Sequence, residues 1–169
     1  MSTPLDKTAL AFIAVANQYC STLAAAAESD RETFIDAMLH QLPRLYIMAT
    51  DLEPDPLADT DDAYLAEALE EDYYDSIRRN IEALTGEDDV YLEVFEEEMK
   101  YSDTPVSASI AEGLADIFQP LYNFLETVRD ATDETISLAL VAVKDDFKAY
   151  WSATLCNTLR ALNRLAYGG

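Results

Sequence analysis

Glycine is scarce in this chain, with four among 169 residues. Sheets and hairpins call for Gly, Asn or Asp turns roughly every ten residues, so the scarcity argues for long helices. Four scattered glycines also exclude the glycine-rich loops that cradle phosphates. Histidine occurs once, at His40. Di-iron helical bundles need two Glu-x-x-His pairs, and here Ala37 stands at the Glu position and no second His exists. The only cysteines are Cys20 and Cys156. Each lies in a helix-like stretch, which predicts buried thiols without a disulfide framework. No plausible Cys-His pair or Gly-x-Ser-x-Gly elbow is present, so nucleophilic catalysis is not expected.

Long apolar runs are missing too. No stretch reaches the roughly 20 residues a spanning helix needs. The segment Ala9 to Ala16 is flanked by Asp6 and by Asn17, Gln18 and Tyr19, which predicts a buried helix and a cytoplasmic protein. Basic residues are few: 11 Lys and Arg stand against 33 Asp and Glu, a net charge of −22. Nucleic acid and anionic membrane, which require a basic surface, are therefore not expected partners. Residues 51–104 alone hold 20 acids and three basic residues.

Apolar residues make up half the chain and are spread along it, as in one globular domain over residues 1–169. Their spacing predicts an all-α bundle of about five helices. The first runs from about Leu5 to Ala27, with Ser2 or Thr3 as its start signal. The second begins at Ser29 or Asp30 and carries Ile35, Met38, Leu42, Leu45 and Ala49, with a kink expected at Pro43. The loop Asp51 to Asp59 precedes a third helix, opened by Asp59 or Thr60 and striped by Leu65, Leu69, Tyr73, Ile77, Ile81 and Leu84. Gly86 is its expected cap. Residues 87–106 predict an irregular, partly extended acidic flap. A capping box, Ser109 with Glu112, starts the fourth helix, bent at Pro120. The fifth runs from about Asp133 to Ala166. The first and last helices, being least polar, are expected to pack together at the centre.

The pieces Leu42-Pro43-Arg44-Leu45-Tyr46, Leu114-Ala115-Asp116-Ile117-Phe118, and Trp151 ahead of Leu159-Arg160-Ala161-Leu162 resemble a bacterial family, domain of unknown function 5063. The resemblance spans about Phe12 to Leu162 and implies a small helical bacterial protein. It implies no activity, cofactor or catalytic residue. Where such relatives have Gly and His after the terminal-helix Trp, this chain has Ser152 and Ala153.

Three patterns bear on chemistry. His40 shares a polar row with Glu32, Asp36 and Arg44, which predicts a solvated side chain bridging charges. Acids in the Asp51 to Asp62 loop fall near the EF-hand register, but Pro56 stands where a sharply turning Gly belongs and an Asp replaces the final Glu, so an acidic surface loop is expected. Glu67, Glu71 and Asp75 follow one another at four-residue spacing, opposite the apolar stripe. As an exposed column of like charge they form the expected interaction surface, since complementary charge steers a partner and orients it. The ten tyrosines include Tyr19, Tyr46, Tyr73 and Tyr150 near apolar stripes, where core filling is expected. The sequence thus predicts a non-enzymatic cytoplasmic interaction or adaptor module with a basic protein partner and no cofactor. The alternative is a divalent-metal-dependent nucleotide pyrophosphohydrolase-like enzyme using Glu67, Glu70 and Glu71.

Overall fold

In a computed structural model, the structure describes residues 4–56, 58, 61–92 and 107–168. Helix α1 spans Lys7–Ala24, and the carboxylate of Asp6 caps it by accepting the Ala9 N–H at 2.9 Å. Asp6 thus has the capping role expected of Ser2 or Thr3, because a side-chain acceptor must sit directly ahead of the first turn. Helix α2 spans Arg31–Asp51 and is capped by Asp30, which takes the Thr33 N–H at 2.8 Å. Pro43 lies inside it.

The third helix, α3, covers Glu71–Thr85 and starts later than expected. Residues 63–70 are not helical. Two polar side chains of the helix α4, Ile110–Val128, take up the backbone N–H groups of this segment. The buried Asn123 accepts from Ala68 and Leu69 through its Oδ1, at 3.0 and 2.8 Å, and the Thr127 hydroxyl accepts from Ala66 at 2.9 Å. An N–H engaged this way is withdrawn from an i→i−4 ladder, so tertiary bonding overrides the helical spacing of Leu65 and Leu69.

Gly86 follows α3 with φ +58, the left-handed region expected of a terminating glycine. A short 3₁₀ turn, Gly86–Asp89, then leads into β1, Val90–Leu92, which pairs antiparallel with β2, Ser107–Ser109. Of the expected flap over residues 87–106, residues 87–89 belong to the 3₁₀ turn, 90–92 are extended, and 93–106 lie outside the described residues. Ser109 caps α4 by accepting the Glu112 N–H at 3.1 Å. The buried Asp89 adds a second cap. Its Oδ1 accepts the Ala111 N–H and the Thr85 hydroxyl, both at 2.8 Å, and its Oδ2 accepts the Ser109 hydroxyl. A buried carboxylate is tolerated here because it faces the positive end of α4 and has several donors.

The C-terminal rod consists of α5, Asp133–Asp146, a π-helical turn, Phe147–Trp151, and α6, Ser152–Tyr167. Central packing falls to α4, which touches α1, α3, α5 and α6. The expected pairing of first and last helices is not the centre of the bundle, although α1 meets the rod where the Phe12 and Trp151 rings lie 6.5 Å apart. The reason is compositional: Ile110, Ala111, Leu114, Ala115, Ile117, Phe118, Leu121 and Phe124 give α4 buried positions around most of its circumference. Lys144 ties the rod to α2 by donating to the last-turn carbonyls of Ala49 and Thr50, at 2.6 and 2.9 Å. The architecture is an all-α bundle with one two-stranded ribbon.

Candidate functional site

Two helix irregularities face one cleft. Pro120 cannot donate to the carbonyl of Asp116, so α4 has a gap in its ladder there. Across from it, the π turn Phe147–Trp151 interrupts the C-terminal rod. Turns of this kind recur at functional sites, because they are unfavourable locally and re-aim the side chains they carry. The extended segment held by Asn123 and Thr127 forms the third wall, contributing Ala63, Tyr64, Leu65 and Glu67. The cleft is open to solvent and measures about 860 Å³.

Among the described residues its lining contains four carboxylates, Glu67, Asp116, Asp145 and Asp146, and no lysine or arginine. None of the four makes a salt bridge among the described residues. Asp116, exposed on one side, accepts the Tyr74 hydroxyl at 2.5 Å on the other. Desolvation pushes its carboxyl above the ordinary aspartate range, against the lowering effect of that hydrogen bond. Asp146 is pushed up as well, first by burial and then by the neighbouring charge of Asp145. The Tyr74 hydroxyl is held well above its usual range by burial, then by its bond to Asp116.

Aromatic rings complete the cleft. Tyr64 and Tyr150 are 47% and 72% exposed, whereas Trp151 is 2% exposed and packs edge-on against Phe147 at 4.6 Å. The indole N–H of Trp151 is buried and has no acceptor among the described residues. Tyr150 therefore departs from the expected core-filling role: the wide turn leaves it outside while Trp151 points inward. Tyr19 does fill the core and donates to the Leu114 carbonyl at 2.6 Å. Tyr46 and Tyr73 are part-exposed, each in edge contact with a core Phe.

The charged column expected on α3 is broken up. Glu67 lies in the extended segment and joins the cleft, Glu70 is the residue before α3, and Glu71 opens the helix. Glu71 and Asp75 keep their helical spacing, but neither lines the cleft, and Asp75 sits 4.0 Å from Arg78. The same break removes the single helix on which Glu67, Glu70 and Glu71 were to gather a metal. Among the described residues no three His, Cys, Asp or Glu side chains are grouped to hold one. Residues 57, 59 and 60 of the acidic Asp51 to Asp62 loop lie outside the described residues.

His40 is exposed, and its Nδ1 lies 2.8 Å from the Asp36 carbonyl oxygen, in keeping with a solvated role. The two cysteines differ. Cys20 is buried, and burial pushes its thiol up to about 12, whereas Cys156 is exposed on α6. Cys156 and His40 line one groove between α2 and α6, a juxtaposition the sequence spacing does not reveal. Sequence reasoning also missed Asp116, Asp145, Asp146, Tyr64 and Trp151 as neighbours, since they come from three separate segments. The available signals were Pro120 and the missing basic residues around it.

Among solved structures, the chain is similar to protein BF1032 from Bacteroides fragilis, with a TM-score of 0.82 and 29% identity. That match covers 97% of this chain and 95% of the other. No curated protein matches the chain significantly. The model of the family DUF5063, a domain of unknown function, matches residues 3–168, and the chain belongs to that family.

Proposed function

We propose that this protein is a non-enzymatic cytoplasmic interaction or adaptor module that docks a basic segment of a protein partner. The observation that carries this reading is the cleft beneath the π turn, with four carboxylates and no basic residue among its described lining residues. Asp146 is partly desolvated and lies beside the charge of Asp145, and a cationic partner relieves that repulsion as it binds. The docking surface is centred on Glu67, Asp116, Asp145 and Asp146, with Glu71 and Asp75 adding long-range attraction. Two free cysteines suit a reducing compartment.

The test is fluorescence anisotropy with a labelled lysine-and-arginine-rich peptide and an acidic peptide of equal length. Binding of the basic peptide should be saturable and weaken between low and moderate salt. Replacing Glu67, Asp145 and Asp146 with Gln, Asn and Asn should weaken it at least tenfold. Equal binding by that variant, or none by the wild type, refutes the reading.

A further inference from the structure

Four carboxylates line the cleft with no cationic side chain among the described residues, which restricts what can occupy it. Among its donors, the Thr154 hydroxyl is directed to the Tyr150 carbonyl at 3.4 Å, while the buried Trp151 indole N–H has no acceptor among the described residues. A fitting ligand is therefore rich in N–H groups and also brings at least one acceptor. The exposed rings of Tyr64 and Tyr150 add faces on which a flat cation can stack.

We propose that the cleft takes an arginine of the partner polypeptide, its guanidinium held between Asp116 and Asp146 against Tyr150, with a neighbouring peptide carbonyl accepting the Trp151 indole N–H. This assignment rests on the docking role proposed above. Guanidinium is favoured over ammonium for three reasons. It is planar and stacks on rings, it presents a fork that serves two carboxylates at once, and it sheds water more easily. A free polyamine supplies no acceptor and would leave the indole N–H unpaired.

Trp151 is the only tryptophan, so its fluorescence reports on the cleft in the unmodified full-length chain. Four probes are titrated at matched ionic strength: acetyl-Gly-Arg-Gly-amide, its lysine counterpart, agmatine and spermidine. The arginine peptide should give a saturable fluorescence change and bind about fivefold or more tightly than the lysine peptide. It should also bind more tightly than agmatine, which has the guanidinium without the carbonyl. Asp146→Asn should weaken arginine-peptide binding about tenfold and Tyr150→Ala a few-fold. Both side chains lie at least partly on the surface, and unchanged circular dichroism would verify that the variants fold. Equal binding of the arginine and lysine peptides overturns the guanidinium assignment while leaving a basic partner in place. Agmatine matching the arginine peptide overturns the polypeptide assignment. No saturable binding of any of the four, together with no binding of the longer basic peptide, overturns both readings.

Discussion

Thr158 of α6 stands over Gly113 of α4 so closely that a β-carbon on the glycine would collide with the Thr158 hydroxyl oxygen. That oxygen is buried and has no hydrogen-bond partner among the described residues. The pair sets how near the two helices approach. Gly113→Ala should cost about 1–3 kcal/mol through overpacking, despite the better helix propensity of Ala. Thr158→Ala should be close to neutral, because it removes an unsatisfied hydroxyl along with a methyl group. Urea denaturation of the double variant should then recover most of the loss; an additive loss would rule out the collision as its cause.

Asn123 holds the extended wall of the cleft through two N–H groups. Asn123→Ala should destabilise the fold by about 2–4 kcal/mol, since both donors lose a buried acceptor. The loss should be local first. Amide exchange at Ala68 and Leu69 is expected to accelerate more than exchange in α1, and uniform acceleration would contradict the clamp.

Asp89 caps α4 from outside the helix. Asp89→Ala removes acceptors for the Ala111 N–H and for the Thr85 and Ser109 hydroxyls, and should cost about 2–4 kcal/mol by thermal or urea unfolding. Asp89→Asn keeps one carbonyl acceptor and should cost less. Equal loss from the two substitutions would place the effect elsewhere.

Stability should rise as the pH is lowered toward the ordinary aspartate range. Asp116 and Asp146 have folded-state values raised by desolvation, so their contribution is complete below the unfolded value and is lost as pH rises through the folded one. The caps Asp6 and Asp30 oppose this at lower pH. Backbone hydrogen bonds hold both below the usual range, so their contribution is lost as pH falls through that depressed range. A melting-temperature profile should pass through a maximum in the mildly acidic region. Asp146→Asn should flatten the neutral side of the maximum and leave the acidic side unchanged.

Millimolar Mg²⁺ or Ca²⁺ should raise the melting temperature no more than matched ionic strength does. Glu67, Glu70 and Glu71 lie on an extended segment, a helix boundary and a first turn, so they do not form one binding face. An ion-specific rise that saturates in the micromolar range would bring back the metal-dependent reading.

The helical class was legible because apolar residues recur at helical spacing over many turns of α1, α2 and α4, and Gly86 marks a stop that the backbone confirms. The start of α3 was not. Leu65 and Leu69 have helical spacing with Tyr73, yet both belong to a segment bonded to Asn123, a residue more than fifty positions away. Periodicity carries no record of such a partner. The π turn left a fainter trace. Val143, Phe147, Trp151 and Leu155 are all buried and follow in three consecutive steps of four. At about 100° per residue each step overshoots a full turn by about 40°, so a regular helix would let the stripe drift by about 120°. The cleft was the least legible feature, because its residues gather only when three segments are folded.

The wide turn also makes the rod sensitive to its length. Deleting one residue between Phe147 and Trp151 would let the backbone regain regular α-helical bonding, a local improvement. It would also rotate everything downstream by about 100° about the rod axis, swinging Leu155, Thr158 and Leu162 away from the packing they now enjoy. The surplus residue thus acts as a gear tooth that keeps the two halves in phase. Homologous chains should keep the number of residues in this turn and vary freely only at the exposed positions of Lys148 and Ala149.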